Sequence, residues 1–159
     1  MKLLKRTLAA FAVVTLTAGA AAAQTTAPDF SGQWELNTAK SDLGPMAGML
    51  TKITLTVDHK APALKYTQAV STSQGDQTMS QSVTLDGKEV SETAPTGQTV
   101  LRTAKMDGGA VLIVAKLQGT DQSQQSRWTL APDGKSLTID QQIASPAGAL
   151  TLKLVFDKK

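Results

Sequence analysis

The sequence predicts an all-β domain, an antiparallel up-and-down meander of about eight to ten strands closed into a small barrel. Two observations carry that expectation. Between residues 30 and 156 apolar and polar residues alternate with period two in segment after segment, and no stretch sustains a 3.6-residue period. Between the segments stand short turn signals, three of them Asp followed by Gly, which supplies the positive φ of a tight hairpin.

The chain opens on Met1-Lys2-Leu3-Leu4-Lys5-Arg6, continues in an apolar run over residues 8–18, and reaches Ala20-Ala21-Ala22-Ala23-Gln24. A charged start, an apolar core and a small-residue cleavage site are the order of a secretory signal peptide. A membrane anchor would need roughly 20 apolar residues, more than this run supplies. The expected organisation is a leader over 1–23, a short lead over 24–29 and one barrel domain over 30–159, in a protein of the periplasm or medium.

The chain carries 16 Lys+Arg against 13 Asp+Glu. Lys2, Lys5 and Arg6 leave with the leader, so the mature charges balance. Neither a basic footprint for nucleic acid nor a polybasic stripe for anionic lipid is then expected. There is no Cys, which excludes disulfides, thiolate chemistry and lipid attachment to a cysteine.

Along the mature chain, Phe30-Ser31-Gly32-Gln33-Trp34-Glu35-Leu36-Asn37 opens the meander, with Trp34 on one face with Phe30, Gly32 and Leu36. Trp34 and Gly32 are read as structural, the indole as a plug whose N–H needs a partner. Residues 38–49 are the one place for an irregular or short helical connection. Ile53, Leu55 and Val57 then oppose Thr54 and Thr56. His59, beside Lys60 and Pro62, reads as a surface turn. Turns are expected at 73–76, 85–88, 107–109, 118–121, 132–135 and 145–148. Residues 110–117 are apolar on both faces and should be the most covered strand. Leu137, Ile139 and Ile143, then Leu150, Leu152, Leu154 and Phe156, mark the last two. A meander leaves two open edges unless it closes, and closure predicts that 30–37 pairs with 149–156. The alternative, a two-layer sandwich, usually needs a crossing connection longer than these turns.

Several strands carry polar side chains on the face that also carries apolar ones. Tyr66 and Gln68 sit with Leu64 and Val70; Met79 and Gln81 with Val83; Arg102 with Val100 and Ala104; Gln124 with Trp128; Gln141 with Ile139 and Ile143. In a dry core each would need a partner. One reading is a wet or ligand-filled lumen, with Tyr66, Gln68, Met79, Gln81, Arg102, Gln124 and Gln141 in a pocket wall. The other is that strand ends and bulges turn several of them to solvent. Arg102 either hydrogen-bonds structural groups, stacking on Trp34 being one arrangement, or receives an anionic head group such as a carboxylate.

Catalytic and metal patterns do not emerge. A single His cannot build a His-rich metal site, the carboxylates show no ligand spacing, and Gly-x-Ser-x-Gly does not occur. Glu35 and Asp140 fall on wet faces by the alternation, against a glycosidase-style pair. No phosphate-cradling Gly-rich loop precedes a helix. A membrane-spanning barrel would need aromatic girdles, and the mature chain has only Phe30, Trp34, Tyr66, Trp128 and Phe156.

The Gly-x-Trp of residues 32–34 on an opening strand, followed by a meander, resembles the lipocalin-like barrels of the calycin group, fatty-acid-binding barrels among them. The run over 30–43, with Lys40-Ser41, and the later Arg127-Trp128-Thr129-Leu130-Ala131-Pro132-Asp133-Gly134 are similar to exported bacterial proteins of unknown function. The resemblance implies a barrel closed at one end by the Trp, with room for an apolar or amphiphilic ligand, and carries over no catalytic residue. The 38–49 connection is shorter than the helical pair that lids fatty-acid-binding barrels. The expected function is therefore a soluble extracytoplasmic binding protein without catalysis or cofactor, with a small ligand and no nucleic-acid or integral-membrane partner. The alternative is a structural or interaction module of the cell envelope with a filled core.

Overall fold

Each alternating segment has one face that avoids water, and laddering with its neighbours pairs the backbone groups along its edges. In the computed structural model, which describes residues 28–159 apart from Met49, Gln74 and Pro95, this produces ten strands: β1 Gly32–Leu36, β2 Leu50–Lys60, β3 Ala63–Thr72, β4 Gly75–Thr84, β5 Asp86–Thr93, β6 Thr99–Asp107, β7 Ala110–Leu117, β8 Ser123–Leu130, β9 Ser136–Ser145 and β10 Gly148–Lys158. The expected leader, 1–23, and most of the expected lead lie outside the described residues. No helix among the described residues is long and apolar enough to cross a membrane.

All ten strands form one antiparallel sheet in the order β4-β3-β2-β1-β10-β9-β8-β7-β6-β5. The first strand pairs with the last, Trp34 opposite Lys158 and Leu36 opposite Phe156, as closure predicts. At the β6–β7 turn Asp107 faces Ala110, and Gly108 and Gly109 both take positive φ, +57° and +83°, the conformation a two-residue primed turn demands. The strand expected to be apolar on both faces, β7, exposes only Lys116.

Sequential pairing fails at one place. No ladder joins β4 to β5; they are the two edges of the sheet, so the barrel is nearly closed with a seam between them. The expected hairpin at 85–88 is therefore corrected. Leu85 alone separates the strands, its N–H donating to Pro62 O at 2.7 Å. The Asp-Gly signal acts locally instead: Asp86 Oδ1 accepts the Lys88 N–H at 3.0 Å, and the register slips between Asp86 and Glu89 around Gly87.

The connection 38–49 holds a single 3-10 turn, Gly44–Met46. Because β1 is short, the connection continues along β10 in its place. Asp42 and Lys153 exchange backbone hydrogen bonds of 2.8 and 2.9 Å, and Ser41 Oγ donates to Asn37 O at 2.7 Å while accepting the Val155 N–H at 2.9 Å. Ser41 and Asp42 thus shield an edge of β10.

The core gathers at the end of the barrel where β1 begins, around the fully enclosed Phe30, Trp34, Leu64, Leu137 and Phe156. Burying such side chains contributes about 1.5–3 kcal/mol each. The Trp34 indole donates to Phe30 O at 3.1 Å, and Lys158 Nζ lies 5.2 Å from the ring centroid. Gly32 makes room for that lysine: at φ +136° it is in a glycine conformation, and a Cβ there would stand 2.9 Å from Lys158 Cε.

His59 is a second correction. It belongs to β2, and its side chain, only 6% exposed, packs edge-on against Phe30 with centroids 5.7 Å apart. Its Nδ1 accepts the Phe30 N–H at 3.5 Å, and Ser31 Oγ bonds the His59 backbone on both sides, at 3.0 and 3.3 Å. Asp58-His59-Lys60-Ala61-Pro62 is polar enough to read as a turn, but alternation from Val57 brings the imidazole inward, where residues 28–31 fold over it.

Candidate lumen site

Toward the other end of the barrel the inward residues change from aliphatic to amide, and the packing opens. A cavity of about 620 Å³ lies there, with Leu43, Met46, Leu50 and Ile53 among its apolar lining and Gln68, Gln77, Gln124 and Gln141 among its polar lining. Leu43 and Met46 belong to the 38–49 connection, so the 3-10 turn borders the cavity in the place where a helical lid was not expected. A smaller cavity of about 160 Å³ adjoins it toward β6, and Tyr66, Gln68, Met79, Gln124 and Ser126 line both.

The register explains the gathering. Cross-strand partners share a face, and Tyr66 faces Gln81, Gln68 faces Met79, and Arg102 faces Ala115, which in turn faces Gln124. Of the seven residues expected in a pocket wall, Tyr66, Gln68, Met79, Gln81, Arg102 and Gln124 line the smaller cavity and Gln141 the larger. Met79 is nonetheless 51% exposed, because it stands on the edge strand at the seam.

Three polar side chains of the smaller cavity, Tyr66, Gln81 and Arg102, bond one another. Gln81 Oε1 accepts from the Tyr66 hydroxyl at 2.5 Å and from Arg102 Nη1. Arg102, 9% exposed, also faces Glu92 Oε2 at 3.5 Å. Its Nε is buried with no partner among the described residues. The partners of Arg102 are thus Gln81 and Glu92. Burial holds the Tyr66 hydroxyl above its ordinary value; the Arg102 charge opposes that rise and Glu92 adds to it. The Tyr66 ring packs edge-on to Trp128, centroids 5.0 Å apart.

Sequence reasoning missed Glu92, Leu43 and Met46. Glu92 lies opposite Val100 on the inner face, but β5 is exposed along most of its length and shows almost no apolar alternation to mark that face. Among the described residues no group of three or more His, Asp or Glu is arranged to hold a metal ion.

No protein-family model matches this chain, and no curated protein matches it in sequence. Solved structures do match in fold. The zebrafish ileal bile acid-binding protein complexed with cholic acid is 15% identical with a TM-score of 0.58, over 82% of this chain and 98% of that one. Secretory abundant heat soluble protein 4 from Ramazzottius varieornatus is 16% identical with a TM-score of 0.59, over 82% and 94%. Lipid binding protein 8 of Caenorhabditis elegans, in its apo form, is 15% identical with a TM-score of 0.57, over 82% and 95%. At these identities the likeness establishes the fold alone, an antiparallel β-barrel.

Proposed function

We propose that this chain is a non-catalytic binding protein that holds a small apolar or amphiphilic ligand in its lumen and works outside the cytoplasm once residues 1–23 are removed. The observation that carries the reading is the cavity of about 620 Å³ with aliphatic side chains and amides on one continuous inner wall. A filled-core interaction module would have those positions closed. The structural neighbours include a protein holding cholic acid and a lipid binding protein, which supports a ligand with a large apolar part. His59, the only histidine in the sequence, is packed against Phe30 at the closed end, so it serves no nucleophile in the lumen.

The test is native mass spectrometry of the protein purified without denaturation from the cells that make it, followed by delipidation and titration with an apolar fluorescent dye. A retained small-molecule mass and saturable dye uptake are expected. Protein mass alone together with no dye uptake overturns the reading. Sequencing the mature N-terminus tests export separately, with Gln24 expected as the first residue.

A further inference from the structure

Resting on the binding function just proposed, we infer that the lumen selects an uncharged amphiphile, one whose polar end carries hydroxyl, ester or amide groups, over an anionic one such as a carboxylate. The argument is a charge inventory of the wall. Across both cavities the lining contains one cation, Arg102, and one anion, Asp76, and no lysine. Arg102 is not a free cation: Glu92 Oε2 stands 3.5 Å from its Nη1, and that same Nη1 donates to Gln81.

An incoming carboxylate at Nη1 would settle beside Glu92 or take the place of Gln81, whose Oε1 also holds the Tyr66 hydroxyl; at the unpartnered Nε it would meet a guanidinium whose charge Glu92 already balances. The first brings like charges together; the second only exchanges one acceptor for another, since Gln81 already serves both donors, and leaves the displaced amide to find new partners. Elsewhere in the lumen it would meet no cation at all. The amides offer a different match. Gln68, Gln77, Gln124 and Gln141 line the larger cavity, and each side chain presents two N–H donors and a carbonyl acceptor. Hydroxyl groups, which donate and accept, and ester or amide groups can pair with such a wall without bringing a charge in from water.

The experiment is displacement of the apolar dye from the delipidated exported chain by laurate and by monolaurin, its uncharged glycerol monoester, at neutral pH. Monolaurin is expected to bind roughly tenfold or more tightly than laurate, a difference of about 1.4 kcal/mol. In Glu92→Gln, which releases Arg102 from its counter-charge, laurate should gain about tenfold while monolaurin stays within about twofold. Tighter binding of laurate than of monolaurin by the unaltered chain overturns the inference and leaves the binding function standing. So does a dye-binding protein from which neither lipid displaces the dye, or a Glu92→Gln variant whose laurate affinity does not move. Absence of dye uptake removes the binding function itself, and this inference with it.

Discussion

Gln81, on the strand at one edge of the sheet, accepts a hydrogen bond from Arg102, one strand in from the opposite edge. The seam that has no backbone ladder is therefore bridged by side chains, with Tyr66 bonded to the same carbonyl oxygen. Replacing Gln81 by Ala leaves the enclosed Tyr66 hydroxyl without its acceptor and Arg102 with Glu92 alone. Gln81→Ala should lower unfolding stability by about 1–3 kcal/mol, read from the denaturant midpoint. A double-mutant cycle with Arg102→Met should show a coupling of at least about 0.5 kcal/mol; strict additivity would mean the two side chains do not act together.

Tyr66 gives the alkaline counterpart. It is the only tyrosine in the sequence, so tyrosinate absorbance reports this one hydroxyl. Its folded pKa is raised above 10.0, chiefly by burial, which means the folded state favours the neutral form. That stabilisation is fully present below the unfolded pKa and is lost as pH rises through the folded one. The titration midpoint of the native protein should lie above that of the denatured chain, and Tyr66→Phe should flatten the fall in melting temperature at alkaline pH. Coincident native and denatured midpoints would contradict the assignment.

Asp157 works in the opposite direction. Asn37 Nδ2 donates to its carboxylate at 2.6 Å, and Lys40 Nζ and Ser136 Oγ do so at 3.2 Å, so these partners, Asn37 first, hold its pKa below the usual 3.8. The stabilisation is present above the unfolded pKa and is lost as pH falls through the lowered folded value. Asp157→Asn should reduce stability at neutral pH and reduce the steepness of acid unfolding, both measured by melting temperature against pH. An unchanged acid limb would show that the carboxylate does not tie the connection to β10.

Gly32 tests the closed end. Its φ of +136° is a glycine conformation, and forcing a side chain there costs on the order of 1–3 kcal/mol. Gly32→Ala should lower stability by that amount. Because the nearest atom to the added Cβ is the flexible Cε of Lys158, the loss should persist in Gly32→Ala/Lys158→Ala; recovery in the double variant would assign it to the contact instead of the backbone.

How much of this was legible before the structure depends on which physical signal each residue carried. Period-two alternation placed Tyr66, Gln68, Met79, Gln81, Arg102, Gln124 and Gln141 on the inner face, because side-chain direction in a strand is local. Closure through β1 and β10 followed from the liability of open edges. The seam did not follow, since Asp86-Gly87 carries a turn signal whether it closes a hairpin or makes a bulge. Glu92 could have been found only from the β5–β6 register, and Leu43 and Met46 lie in a connection with no period to read. His59 was hidden because its burial depends on residues 28–31, far away in sequence.

The inner wall itself can be tested by exploiting the same alternation. Gln68 and Ala69 are neighbours on β3 with opposite directions: Gln68 faces Leu55 and Met79 across the inner wall and lines both cavities, whereas Ala69 faces Thr54 and Thr78 on the outside. An indole at position 68 enters empty volume and has neighbours that leave room for it, so it should remove binding space with little strain on the fold. An indole at position 69 adds apolar surface to the exterior of the same strand. Gln68→Trp is expected to weaken uptake of the apolar dye by roughly tenfold or more, about 1.4 kcal/mol for each factor of ten, with circular dichroism and melting temperature close to those of the parent. Ala69→Trp should leave dye affinity unchanged. If both variants bind the dye as the parent does, the dye is held somewhere other than the lumen; if Gln68→Trp loses binding only because it unfolds, its circular dichroism will show it, and the smaller Gln68→Leu, which trades one amide for an isobutyl group one atom shorter, should then leave dye uptake intact while weakening monolaurin.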